Sequence, residues 1–342
     1  MQIEIYNLNE RWYSIMKKYL NILLSLSILN LLIIALIWPA STVNAATRFK
    51  FVDSNNITWE FTLYGGSATD VRLASSASGT LTVPSTLDGY PVTSVAAVST
   101  SVSFLQSYGK SVTAVIFPDT LEEIKDYALY NVDNITSVTI PNSVTKIGAY
   151  ALANMDQVTS LSLPNSIKYI GAYAFYSNCF TKLTIPGSVT VLGNYLCYSS
   201  KLQSVIFQEG VTAIPANCFQ SCTSLTSVSI PNTVTEIPSN CFYKCTALRK
   251  ISIPDSIKSV QSYAFGNCTY LREVILGSNV ATVGNCAFYE CDGLGSLYVL
   301  NKNVQIYDSA NTISTAPLIR CYKGSTMDAY ATKYGRVVKY LE

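Results

Sequence analysis

Histidine is absent from all 342 residues. That removes the commonest general base, the commonest nitrogen ligand for zinc and the Ser-His-Asp triad at one stroke. Charge is also scarce. Asp, Glu, Lys and Arg make up 13% of the chain, where about 25% is usual. The net charge is only +2, so there is no basic stripe of the kind a phosphate backbone requires, and nucleic acid is not expected as a partner. Tryptophan occurs three times and only Trp59 lies beyond residue 45, which weakens any carbohydrate-stacking site built on indoles. No Gly-rich phosphate loop, no G-x-S-x-G elbow and no recurring carboxylate pair appears. The carboxylates Asp119, Glu122, Glu123 and Asp126 cluster once and read as a solvated turn. No catalysis and no cofactor are expected.

What is present begins with an apolar run. Between Lys18 and Arg48 there is no charged residue, and Tyr19 to Trp38 is strongly hydrophobic behind Lys17 and Lys18. Small residues then stand at the positions a signal peptidase reads, with cleavage between Ala45 and Ala46. The run is long, so an uncleaved membrane anchor over residues 19–38 stays open as the alternative. Met16-Lys17-Lys18 resembles a natural start, which would make residues 1–15 a start-site artefact. In either case the body of the chain is expected outside the cytoplasm, secreted or at the cell surface.

The dominant feature is an internal repeat. Proline recurs at Pro118, Pro141, Pro164, Pro186, Pro231 and Pro254, and Gln208, Gly277 and Leu300 keep the same phase, in steps of 22 or 23 residues. Within one unit, Leu225, Val228 and Ile230 alternate with Ser227 and Ser229 as a short strand with one apolar face. Pro231 ends the strand and Asn232-Thr233 turns the chain. Val234 and Ile237 re-enter the core, and Phe242 fills it. A single unit of this size cannot bury those residues, but stacked units can.

The consensus running through 228–251 and 251–274 resembles the BspA-like leucine-rich repeat family of exported bacterial surface proteins. "VPSTLDGYPVTSV" (83–95) and "CYKGSTMDAYATKYG" (321–335) also resemble segments flanking such arrays. The resemblance implies a leucine-rich-repeat solenoid, β-rich, with a short parallel strand plus turn or short helix per repeat of about 23 residues and with N- and C-terminal caps. It also implies a protein that acts by surface contact, adhesion-like, on host matrix or another cell-surface protein. The expected organisation is a signal or anchor over 1–45, a β cap and lead-in over 46–111, about nine repeats over 112–305 and a C-terminal cap over 306–342.

The cysteines follow the period. Cys222, Cys245, Cys268 and Cys291 each stand three residues after Phe219, Phe242, Phe265 and Phe288, which reads as a column of buried thiols reaching backbone carbonyls. Cys218 and Cys241 form a second column, and an exported chain could bridge them as a disulfide. Two CxxxC pairs could also offer zinc four sulfurs, but the column accounts for them better, and no metal is expected. Tyr127, Tyr150, Tyr173 and Tyr263 recur two places before the aromatic position, and Tyr130, Tyr176, Tyr243 and Tyr289 one place after it. They read as cover on the convex side, with glycan stacking as the alternative. Sequons at Asn56, Asn134 and Asn267 are expected to be unused.

The outward strand positions form a smooth hydroxyl surface that gains charge and apolar area toward the C-terminal half. It is either a solvated face or a binding face. If it binds, Lys250, Ser252, Glu273, Ile275 and Tyr298 are the residues expected to meet a protein partner. A wall- or glycan-binding module is the alternative function.

Overall fold

The computed structural model describes residues 47–315 and 317–342. The expected targeting run, its cleavage point at Ala45–Ala46 and residues 1–15 lie outside the described residues. The described body is one unit, Arg48–Glu342.

Three antiparallel-paired strands come first, Phe49–Val52, Thr58–Tyr64 and Ser67–Leu73. They enclose Trp59, which is fully buried and donates from Nε1 to Asp53 Oδ2 at 2.9 Å. Apart from the small antiparallel pair Thr86–Leu87 and Tyr90–Pro91, strand pairing then becomes parallel and the chain coils as a β-solenoid of about 12 turns. Each turn has three sides. The first ladder holds the longer strands, such as Lys182–Ile185, Ser204–Phe207, Lys250–Ile253 and Glu273–Leu276. Its inward residues are buried and its outward residues wet, because the side-chain period of a strand is two. The second ladder holds two-residue strands, among them Lys146–Ile147, Tyr169–Ile170, Ser259–Val260 and Thr282–Val283.

The third side has no strand, yet it is hydrogen-bonded throughout. Two residues per turn take positive φ, for example Asn240 at 55° and Lys244 at 61°, on either side of Phe242. The alternation turns every second N–H toward the next rung. Asn240, Phe242 and Lys244 donate to the carbonyls of Ser262, Ala264 and Gly266 at 3.1, 2.8 and 2.9 Å. The same three bonds recur from Tyr127 to Asn267. Between Tyr127 and Asn267 no helix forms on this side, and there the expected turn or short helix is a turn.

The third side runs without a gap where the other two are interrupted. Residues 160–163 belong to no strand, so the first ladder stops at Ser137–Thr139 and resumes at Lys182. It stops again between Ser227–Ser229 and Lys250. The second ladder lacks a strand between Val191–Leu192 and Glu236–Ile237.

The shorter repeats leave the register intact. Lys182 pairs with Ser204, a step of 22, as cleanly as Lys250 pairs with Glu273, a step of 23. Alignment on the buried Phe and Leu positions places each deletion just after the thiol column. Asn178 and Phe180 are one residue closer than Cys245 and Leu248, and so are Ser200 and Leu202.

The ladders run past the in-phase repeats at both ends. Ser78–Thr82 and Ser94–Val95 already pair in parallel with Ser111–Ile116 and Glu123–Ile124. Leu318–Cys321 and Val338–Tyr340 extend the first ladder. These outer turns lack the Pro–Phe–Cys pattern, which is why the period shows fewer turns than the backbone makes. Helix α1, Thr326–Lys333, lies between the last two strands, and its N-cap Ser325 accepts from Asp328 N.

The core is one continuous cluster. Phe219, Phe242, Phe265 and Phe288 stack along it with ring centroids 5.5, 5.2 and 5.4 Å apart. Each is fully buried and covers its neighbour's face.

Candidate partner-binding face

The five expected face residues lie on neighbouring rungs of one five-stranded parallel sheet. Lys250 pairs in register with Glu273, and Glu273 with Ser296. Ser252, Ile275, Tyr298 and Arg320 form the second outward row, and Lys339 follows Arg320. Lys250 Nζ meets Glu273 Oε1 at 2.6 Å. The hydrogen bond to that carboxylate raises the Lys250 pKa. Arg320 lies over the Tyr298 ring, 5.1 Å from its centroid. Its Nε is buried and has no hydrogen-bond partner among the described residues.

Arg320 and Lys339 stand outside the set expected from sequence. They fall after the repeat phase fades, in the stretch read as a cap. The alternation Leu318, Arg320 against Ile319, Cys321 was a signal that could have placed Arg320 on the outward row.

The N-terminal part of the same face differs. Ser160 and Ser162 lie where the ladder is interrupted, and an open groove of about 410 Å³ runs there past Lys182, Thr184 and Gln208. On the second ladder Lys146 pairs with Glu123 at 2.7 Å and lies 5.5 Å from the Tyr169 ring centroid. Glu123 therefore belongs to a strand instead of a solvated turn. Asp126 of the same cluster accepts from Ala149 N at 2.7 Å, tying one rung to the next.

The tyrosines make a ladder. Tyr127, Tyr150, Tyr173 and Tyr195 stack at 4.9, 4.6 and 4.7 Å, with ring planes within 7°. All four take positive φ, between 54° and 59°. Tyr130, Tyr176 and Tyr198 meet them edge to face, and Tyr176 stacks on Tyr198 at 5.6 Å. All seven rings are half-buried. Burial, first, and the neighbouring phenols raise the pKa of Tyr150 and Tyr173. Tyr195 and Tyr198 keep the spacing of Tyr173 and Tyr176 about the core position, and were missed from sequence because Cys197 stands there in place of Phe175.

All ten cysteines are free thiols in the structure, Cys218 and Cys241 among them, and both of these are fully buried. Cys222, Cys245, Cys268 and Cys291 donate from Sγ to the carbonyls of Cys197, Phe219, Phe242 and Phe265 at 3.0, 3.1, 3.1 and 3.0 Å. Two rungs earlier the column is held by Asn178, whose Nδ2 donates to Leu152 O at 2.6 Å. The position therefore selects a buried donor, and sulfur is one way to supply it. Among the described residues no three His, Cys, Asp or Glu side chains gather as a metal site.

The stacked 22- and 23-residue turns match six copies of the BspA type leucine rich repeat region, over residues 102–226 and 190–316. The chain belongs to that family. Solved structures similar to this BspA-type chain include a leucine-rich repeat protein from Bacteroides ovatus, 21% identical, covering 84% of this chain and 98% of that one with a TM-score of 0.46. Another is a leucine rich cell surface protein from Faecalibacterium prausnitzii, 21% identical, covering 86% and 96% with a TM-score of 0.42. A third is a leucine rich repeat protein from T. pallidum, 22% identical, covering 72% and 91% with a TM-score of 0.40. No curated protein matches the chain. A BspA-type array is an interaction module and a non-catalytic kind of protein. Among its described residues no helix is long and apolar enough to cross a membrane.

Proposed function

We propose that this BspA-type chain is an exported, secreted or surface-held interaction protein. It binds a protein partner, host matrix or another cell-surface protein, through the C-terminal half of its first ladder. The observation that carries this reading is the in-register face in which Lys250, Ser252, Glu273, Ile275 and Tyr298 sit on adjacent rungs. Fixed strands hold these groups, so little entropy is lost when a partner docks. A hydroxyl surface that becomes charged and aromatic over a few rungs also offers anchors in one place. The antiparallel strands before Leu73 and helix α1 are read as end covers that keep the ladder from pairing with other chains. Export rests on the apolar run before residue 45 and on the family. The test is capture of immobilised matrix and cell-surface proteins by the chain, repeated with Lys250→Ala, Glu273→Ala and Tyr298→Ala. Undiminished capture by all three rejects this face.

The tyrosine ladder favours a second reading, a wall- or glycan-binding module. Tyr176 and Tyr198 stack with half-buried rings beside the stacked row, a surface on which sugars could lie. Retention on purified wall glycan, lost in Tyr176→Ala, is the outcome this reading requires.

A further inference from the structure

The strand face changes its charge along the solenoid. Between Ser137 and Ser229 its outward residues are hydroxyls apart from Lys182 and Ile206. Over the last rungs they include Lys250, Glu273, Arg320 and Lys339. Lys250 and Glu273 neutralise each other. Arg320 and Lys339, paired in register, are left with no ion pair among the described residues.

Arg320 is also held in one pose. Its guanidinium lies against Tyr298, and its Nε is buried without an acceptor. A guanidinium is a planar fork whose N–H edges match a carboxylate with two parallel bonds, and with the ring beneath one face and Nε buried it is the terminal Nη1–Nη2 edge that is left to do so. Lys339 adds a second positive charge on the next rung, where a neighbouring acidic side chain would meet it.

We propose that Arg320, seated on Tyr298 and flanked by Lys339, docks a carboxylate of an acidic peptide segment in the protein partner. The inference rests on the reading of this face as partner-binding and names the chemistry it selects. Charge complementarity decides the occupant. Two cations are unanswered here, and the neighbouring row has consumed its only carboxylate.

The test uses the full chain and a labelled, acetylated peptide of alternating Glu and Ser, with Gln in place of Glu as the control. Anisotropy is read at about 0.15 M ionic strength. The Glu peptide is expected to bind and the Gln peptide to bind at least about tenfold more weakly, with the same loss on Arg320→Gln. Arg320→Lys keeps the charge but not the fork and should fall between. Lys339 is exposed, so Lys339→Gln tests the site without risk to folding, and it should weaken binding and flatten the salt dependence. Lys182→Gln should change nothing. Equal binding of the two peptides, indifference to both Arg320→Gln and Lys339→Gln, no binding of the Glu peptide, or binding of heparin in its place overturns the proposal. If in those cases a captured partner still responds to Lys250→Ala, Glu273→Ala or Tyr298→Ala, the face reading survives the loss of this anchor. If it does not respond, both fall.

Discussion

The thiol of Cys245 donates to the carbonyl oxygen of Phe219, one rung back, at 3.1 Å, and Phe219 also accepts from Cys222 N at 3.0 Å. The sulfur thus ties two turns together and fills space in the buried core. Cys245→Ala removes the bond and leaves a small void, and a loss of about 1–2 kcal/mol is expected. The urea unfolding midpoint reads this. A midpoint unchanged from the parent chain would show that neither the bond nor the filled space contributes to stability.

Burial pushes the Cys222 thiol up to about 11 and Cys291 to about 12, from an ordinary value of 9.0. In the unfolded chain these thiols ionise near their ordinary value, while the folded chain keeps them neutral. Their contribution to stability is therefore complete below about pH 9 and is lost as pH rises toward 11–12. Tyr150 and Tyr173, also raised, add with the same sign. Thermal unfolding should occur at lower temperature above pH 9, and Cys222→Ser should shallow that decline.

Thiol counting separates free cysteines from a Cys218–Cys241 bridge. Thiolates are what react, and nine of the ten cysteines are buried, with Cys179 half-buried. The unreduced native protein should react quickly at Cys179 alone and at ten positions after denaturation. A count short by one pair after denaturation would establish a disulfide.

Gly187 and Gly295 should respond differently to one methyl group. A Cβ on Gly187 would lie 1.9 Å from the carbonyl oxygen of Glu209, whereas on Gly295 it would find nothing nearer than 3.5 Å. Gly187→Ala should cost about 1–3 kcal/mol as the two rungs are forced apart. Gly295→Ala should stay within about 0.5 kcal/mol. Equal melting temperatures for the two variants would contradict the close approach.

Tyr150 takes φ 54° in a column where Asn217 and Asn240 take 58° and 55°. Asparagine tolerates this conformation and alanine does not. Tyr150→Asn should therefore be milder than Tyr150→Ala by about 1 kcal/mol, although both lose the ring contacts with Tyr127 and Tyr173. Equal costs from urea titration would mean that stacking alone holds the tyrosine.

Much of the architecture is legible along the chain because every unit solves the same burial problem. Leu225, Val228, Val234, Ile237 and Phe242 recur because each must cover the rung beside it, and repetition at 22 or 23 residues turns that need into a visible period. The outer rungs at Ser78–Thr82 and Val338–Tyr340 escape this reading, since they bury Leu81 and pack Val338 against the core without repeating the Phe and Cys columns that make the period visible.

The period by itself determined the solenoid, the buried phenylalanine and thiol columns, and the two outward rows that hold Lys250, Glu273 and Tyr298, because all of these follow from which residues alternate within a unit. Only the tertiary structure decided what depends on contact between rungs. The hydrogen-bonded third side with its left-handed residues, the interruption at residues 160–163 and the stacking of Tyr195 on Tyr173 are of this kind. So is the pose of Arg320 over Tyr298. Apart from the interruption, each joins atoms more than twenty residues apart in sequence, and the register that brings them within a few ångströms is set by the whole stack.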